Sequence, residues 1–194
     1  QRDVTVDKYN EEKLKRAAHF DALTNLPSRI LLSDRLSHAM VQSQRRNQSL
    51  AVAYMDLDGF KAVNDLHGHN VGDELLVAVA QSMEEALREG DTLARIGGDE
   101  FIAVMVDLEN IEDSEPVLKR LLKAAAKSIT LGDAVMKVSA SIGVSLYPQD
   151  HVDADLLMRH ADQAMYVAKQ AGKNRYHFFD TTQDNAIKTQ GQSI

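Results

Sequence analysis

Three carboxylates stand out for the company they keep. Asp99 and Glu100 sit in the run Arg95-Ile96-Gly97-Gly98-Asp99-Glu100-Phe101, between the apolar, β-prone stretches 92–96 and 101–106. Paired glycines between such stretches read as the tight turn of a hairpin, where φ > 0 must be tolerated. Acids are costly to bury and easy to present at such a corner, and a rigid, exposed pair suits a divalent cation. Asp56 closes the nearly continuous apolar run 50–55, which reads as a buried central strand. Next to hairpin acids on a neighbouring strand, Asp56 forms a two-carboxylate cradle for Mg²⁺ or Mn²⁺. These hard cations take oxygen ligands and keep substrate phosphates in their shell. Such a cradle can hold two ions, one lowering the pKa of an attacking hydroxyl and one bridging phosphates. The plainer alternative is that Asp56 merely ends its strand. Asp58, just before Gly59-Phe60-Lys61, reads as a helix N-cap instead of a ligand.

The elements that must position these acids follow from periodicity. Residues 5–20 form a charged helix with a thin apolar stripe, read as a linker helix (1–20) with little burial of its own. Residues 21–27 make a turn, and Pro27 suits the first turn of a helix running to Gln44, with Leu32, Leu36, Ala39 and Met40 inward. After the strand come a short helix over 60–66, a loop at 67–70 and a longer helix over 71–89. In that helix Leu75, Val79, Met83 and Leu87 recur at helical spacing, and Gly90 is a stop. A helix over 115–128, a strand within 135–147, a helix over 153–171 ended by Gly172, and an edge strand at 176–179 complete the pattern. The tail 180–194 is polar. Strands joined by both hairpins and helices indicate an α/β (α+β) fold with a sheet covered by helices.

Composition narrows the classes. The chain has 194 residues, 44% hydrophobic and 26% charged, with no cysteine and a net charge of −7. This excludes disulfides, thiol catalysis and Cys-ligated zinc, and argues against non-specific nucleic-acid binding. No apolar run approaches the roughly 18 residues that span a membrane. The absence of cysteine fits a cytoplasmic setting. Gln1 in place of Met, and an end without an obvious final element, read as a piece excised from a longer protein. GxGxxG and GxxxxGK[ST] are absent, so neither a Rossmann nor a P-loop site is supported. His67 and His69 form a His-x-His without a third ligand nearby, which reads as loop chemistry before zinc.

Beyond these signals, the whole block Asp56-Leu-Asp-Gly-Phe-Lys-Ala-Val-Asn-Asp-Leu-His-Gly-His-Asn-Val-Gly-Asp73 resembles the core motif of the GGDEF family, the diguanylate cyclases. Arg95–Phe101 resembles that family's signature. Asp21-Ala-Leu-Thr-Asn-Leu-Pro-Ser-Arg29 resembles its opening motif, with Asn25 and Ser28 where the family more often has Gly and Asn. Residues 139–145 resemble its central strand, and residues 161–175 its C-terminal helix. The resemblance spans about residues 20–179. It implies a mostly antiparallel central sheet of the nucleotidyl-cyclase, polymerase-palm type, with residues 21–179 as the catalytic domain.

The resemblance also implies roles. Asp56 and Asp99 ligate two Mg²⁺ or Mn²⁺ ions, assisted by the backbone carbonyl of Leu57. Glu100 is a metal ligand or a proton acceptor. Asn64 and Asp73 read guanine, a task suited to a carboxylate that can accept from N1–H and the exocyclic amine. Lys61, Lys169 and Lys173 bind phosphate, and Phe60 shapes the nucleotide pocket. Read without the resemblance, Asp73 is an acid in the first turn of a helix, and Lys169 and Lys173 are cations at a helix C-terminus. Arg88-Glu-Gly-Asp91 resembles the family's inhibitory site for the product, where the planar guanidinium bridges phosphates and stacks on guanine. The implied reaction joins two GTP into cyclic di-GMP plus two pyrophosphates, in a homodimer with one GTP per protomer. Residues 3–7 look like the exit from a PAS-type sensor, and residues 176–180 resemble the passage to an EAL phosphodiesterase domain. The alternatives are a catalytically silent GTP-binding module controlling a linked phosphodiesterase, and a different metal-dependent nucleotidyl transferase on the same sheet. The intact acids, Asn64 and Lys61 favour the cyclase.

Overall fold

The computed structural model describes residues 4–180 and 182. Strand β1 (Ser49–Asp58) is the centre of a five-stranded sheet, in the order β2 (Thr92–Gly97), β3 (Glu100–Leu108), β1, β6 (Ser139–Tyr147), β7 (Arg175–Phe178). β1 pairs antiparallel with β3 and with β6, β2 with β3 likewise, and β6 pairs parallel with the edge strand β7. A separate two-stranded ladder joins β4 (Ile129–Leu131) to β5 (Ala134–Met136).

Alternation along β1 sorts its side chains between two layers. Ala51, Ala53, Met55 and Leu57 face α4 (His69–Ala86) and α5 (Ser114–Ala125), in a core with Leu75, Val79, Met83, Leu118 and Leu121. Leu50, Val52 and Tyr54 face α2 (Arg29–Arg46) and α6 (Ala154–Gln170), against Leu32, Leu36, Leu157 and Met165. Asp56 continues this second parity, so its carboxylate emerges beside the last turn of α6. That helix lies close on the sheet because residue 143 is glycine. A Cβ there would stand 1.9 Å from the Ala161 carbonyl oxygen and 2.0 Å from the Met165 nitrogen.

Several boundaries differ from the sequence reading. Pro27 stays outside α2, paired in an isolated bridge with Phe20, while the Ser28 N–H donates to His19 O and the helix starts at Arg29. No loop separates α3 (Phe60–His67) from α4; Gly68, at φ 90°, makes the joint alone. α4 stops at Ala86, and Gly90 (φ 94°) belongs to the following turn. α5 spans Ser114–Ala125, ending short of 128. The stretch 135–147 is broken at Lys137-Val138, with β5 diverted into its own ladder. Asp58 is not an N-cap: β1 runs on through it, Gly59 stands at the cap position, and Asp58 accepts from the hydroxyls of Ser139 (2.7 Å) and Ser141 (2.8 Å) on β6. The helix expected over 5–20 is α1 (Val4–His19), with no buried residue, and nearly all of the polar tail lies outside the described residues.

Candidate active site

The cradle is built by strand register. Asp56 on β1 opposes Glu100 on β3 and Ser141 on β6. Asp99 occupies the turn between β2 and β3, where Gly98 takes φ 50° and the Leu57 N–H donates to the Asp99 carbonyl at 3.1 Å. Arg95 clamps the turn from outside. It donates to Gly98 O at 2.9 and 3.0 Å and pairs with Asp21 at 3.0 Å. Burial works to raise the Asp21 carboxyl, but hydrogen bonds from Thr24 and the Arg95 guanidinium hold it below the ordinary range. The turn at 21–27 is thus tied to the hairpin through Arg95, whose guanidinium also holds Gly98 O at the tip.

Charge is crowded here. Asp56 is largely buried. Its Oδ2 accepts from the Lys169 ammonium, and its Oδ1 is buried without a hydrogen-bond partner. Burial, and then the adjacent Asp56, push the Asp99 carboxyl up to about 6. Burial works to lower the Lys169 ammonium, but Asp56 holds it above its ordinary value. A cation would satisfy the orphaned oxygen and relieve the repulsion between the acids, so the residues present fit a divalent metal. Among the described residues no cluster of three or more His, Asp or Glu side chains is arranged to hold a metal. A divalent ion bound there would take the carboxylates of Asp56 and Asp99 as its side-chain ligands.

The other predicted residues fall into two groups. Asn64 on α3 turns a buried, unpartnered Oδ1 towards α4, where a Cβ on Gly72 would come within 1.7 Å of it. Glycine at 72 is what leaves room for this amide. Asp73 is exposed one residue on, past the first turn of α4, and Lys61 is exposed on α3. Phe60 is buried in the core beneath α4. Lys173, at φ 64°, follows α6, its N–H bonded to Ala168 O at 3.1 Å. Arg88 and Asp91 lie at the opposite end of β2 from Asp99, beside a cavity of about 460 Å³ also lined by Arg35, Glu84 and Leu87. There the Asp91 carboxylate is fully buried and accepts from the N–H groups of Arg88 (3.0 Å) and Val106 (3.1 Å). Arg88 donates to Val106 O at 2.6 Å. His67 and His69 are exposed on either side of Gly68.

Sequence reasoning overlooked Tyr54, whose hydroxyl donates to Glu100 Oε2 at 2.7 Å, and Asp162 of α6. Burial, and then Glu100, raise the Asp162 carboxyl above its ordinary range. The signal for Tyr54 was its spacing, two residues before Asp56 and so on the same face.

Residues 18–175 match the family model described as diguanylate cyclase, GGDEF domain. The chain belongs to the GGDEF family. It is 42% identical over 185 residues to the bifunctional diguanylate cyclase/cyclic di-GMP phosphodiesterase MucR of Pseudomonas aeruginosa, covering 95% of this chain but 27% of MucR. The solved GGDEF domain of TpbB from the same organism superposes with a TM-score of 0.84 at 34% identity, covering 88% of this chain and 99% of that one. The GGDEF domain of DgcB from Caulobacter crescentus, solved in complex with cyclic di-GMP, gives a TM-score of 0.76 at 25% identity over 84% of this chain and 94% of that one. The GGDEF sheet is accordingly the mixed, mostly antiparallel one expected, and the chain spans about a quarter of the length of its curated relative MucR.

Proposed function

We propose that this GGDEF domain is a diguanylate cyclase that condenses two GTP into cyclic di-GMP and two pyrophosphates, acting as a homodimer with one GTP per protomer. The observation that carries the reading is the Asp56–Asp99 pair: two crowded carboxylates, Asp56 on β1 with an orphaned buried oxygen and Asp99 on a turn clamped by Arg95 and Asp21. Asp56, Asp99 and the Leu57 carbonyl would hold Mg²⁺ or Mn²⁺, which when bound activates the attacking hydroxyl and neutralises charge on the phosphates. Asn64 and Asp73 read the guanine edge, with Gly72 keeping the amide in place. Lys61 and Lys173 bind phosphate, and Lys169 shares its charge between phosphate and Asp56. In each half-reaction the 3′-oxygen of one GTP bonds to the α-phosphorus of the other. The bond to the pyrophosphate oxygen breaks, and the hydroxyl proton leaves to solvent or through Glu100. A single protomer holds half of this arrangement, so its work is positioning and charge neutralisation.

The names of TpbB and MucR support the reaction. The DgcB complex supports cyclic di-GMP as a ligand, for which Arg88 and Asp91 are the proposed inhibitory site; Asp91 would have to share or leave its present backbone partners. No described helix is long and apolar enough to cross a membrane. We place the reaction in the cytoplasm, where GTP is made, within a parent that carries a sensor domain upstream and an EAL domain downstream.

The test is GTP turnover with Mg²⁺ across a range of protein concentration. Cyclic di-GMP formed with more than first-order dependence on protein, and abolished by Asp99→Ala, is the expected result. Tight GTP binding without product, even when the domain is artificially dimerised, would replace the cyclase by the silent GTP-binding module.

A further inference from the structure

Tyr54 has no part in the roles assigned so far. It is 6% exposed and packs in the apolar layer between the sheet, α2 and α6, alongside Ile102 and Met165. A phenylalanine would fill that space as well; the hydroxyl is the added feature. Register explains its reach. Asp56 opposes Glu100 and Tyr54 opposes Ile102, so Tyr54 and Glu100 are diagonal neighbours across β1 and β3, within the span of a tyrosine. The hydroxyl donates to Glu100 Oε2 at 2.7 Å. Asp162 from α6 and Arg29 from α2 act on Tyr54, and Asp162 in turn feels Glu100, Arg29, Asp56 and Lys169. Burial, and then the Glu100 carboxylate, raise the Tyr54 phenol above its ordinary range.

We propose that Tyr54 is a positioning residue for Glu100, its hydroxyl fixing one carboxylate oxygen beside the Asp56–Asp99 pair so that Glu100 meets GTP in a single orientation. A buried phenol that merely needed a partner could have taken a backbone carbonyl; this one is spent on the acid that follows Asp99 in the signature. The geometry stands by itself, and its consequence for rate rests on the cyclase reading.

The test compares wild type, Tyr54→Phe, Glu100→Gln and the double variant. For Tyr54→Phe we expect kcat to fall on the order of tenfold, inside the hundredfold that a small misplacement can cost. KM for GTP and the melting temperature should stay close to wild type, and the double variant should be no slower than Glu100→Gln alone. Wild-type kcat in Tyr54→Phe, or losses that multiply in the double variant, would overturn the proposal. Should the wild type make no product, the cyclase reading fails separately, and crystal structures decide the positioning. A Glu100 carboxylate that rotates or loses order in Tyr54→Phe supports it, and one that keeps its place overturns it.

Discussion

Asp56 and Asp99 oppose one another, and that opposition is measurable without any substrate. The Asp99 carboxyl, at about 6 against an ordinary 3.8, holds its proton more tightly in the folded chain than in the unfolded one. Between those two values the folded state carries the extra proton, so this group makes stability decline as pH rises. In metal-free buffer, denaturant unfolding of wild type measured against Asp99→Asn should show the wild type losing ground as pH climbs through that window. Mg²⁺ should restore the loss above it, because the ion binds the ionised pair. A difference that is flat with pH would show that neither burial nor Asp56 raises the Asp99 carboxyl in the folded chain. At this scale the sequence was informative wherever a residue's chemistry is unusual for its place, as with an acid ending an apolar strand. It misjudged Asp58, because the N-cap reading assumed that the strand ended earlier. It passed over Tyr54, because a tyrosine in an apolar run looks like core until its hydroxyl is seen to reach an acid on the next strand.

At the scale of elements, the position of Lys169 depends on how closely α6 approaches β6. The apolar face Leu157, Ala161, Ala164, Met165 and Ala168 was legible from spacing and is buried as expected. The alanines at 161 and 164 let the helix come close to Gly143, where helix backbone occupies the space a side chain would need. Gly143→Ala should therefore cost about 1–3 kcal/mol of unfolding free energy, as overpacking does. It should also push the last turn of α6, and Lys169 with it, away from Asp56. Chemical denaturation and GTP turnover should both register the change, turnover falling further than the loss of folded protein explains. An alanine accommodated without loss of either would mean that the helix is free to move off the sheet. Strand order was not legible in the same way. Alternation shows that 139–147 is a strand, but not that it flanks β1 opposite to β3, since register is settled by long-range pairing. The β4–β5 ladder escaped for a local reason: three-residue strands carry too few residues to show a period.

For the whole molecule, the question is what α1 does for a domain it scarcely touches. None of its residues is buried, and Val4, Val6, Tyr9 and Leu14 are exposed at 52–71%. Its far end is nevertheless tied down. Phe20 bridges Pro27, the Ser28 hydroxyl donates to Ala18 O at 2.7 Å, the Ser28 N–H to His19 O at 2.7 Å, and Arg16 reaches Asn25 at 3.3 Å. These bonds fix the angle at which the helix leaves, next to the turn whose Asp21 braces the hairpin through Arg95. A helix that contributes no core yet leaves at a fixed angle beside the turn that braces the hairpin is suited to bringing two protomers together, its apolar residues covered by the same helix of a second copy. Removing residues 1–17 should thus leave the melting temperature of the domain nearly unchanged, since no buried apolar area is lost. It should instead shift turnover to higher protein concentration, by the factor in which dimerisation is weakened. Replacing the deleted segment with a parallel dimeric coiled coil should bring activity back at low concentration, as effective concentration requires. Calorimetry together with product formation across a dilution series reads both effects. A truncated chain that melts much earlier would show α1 to be part of the fold after all, and one that turns over as wild type at every dilution would place the dimer contact elsewhere on the domain.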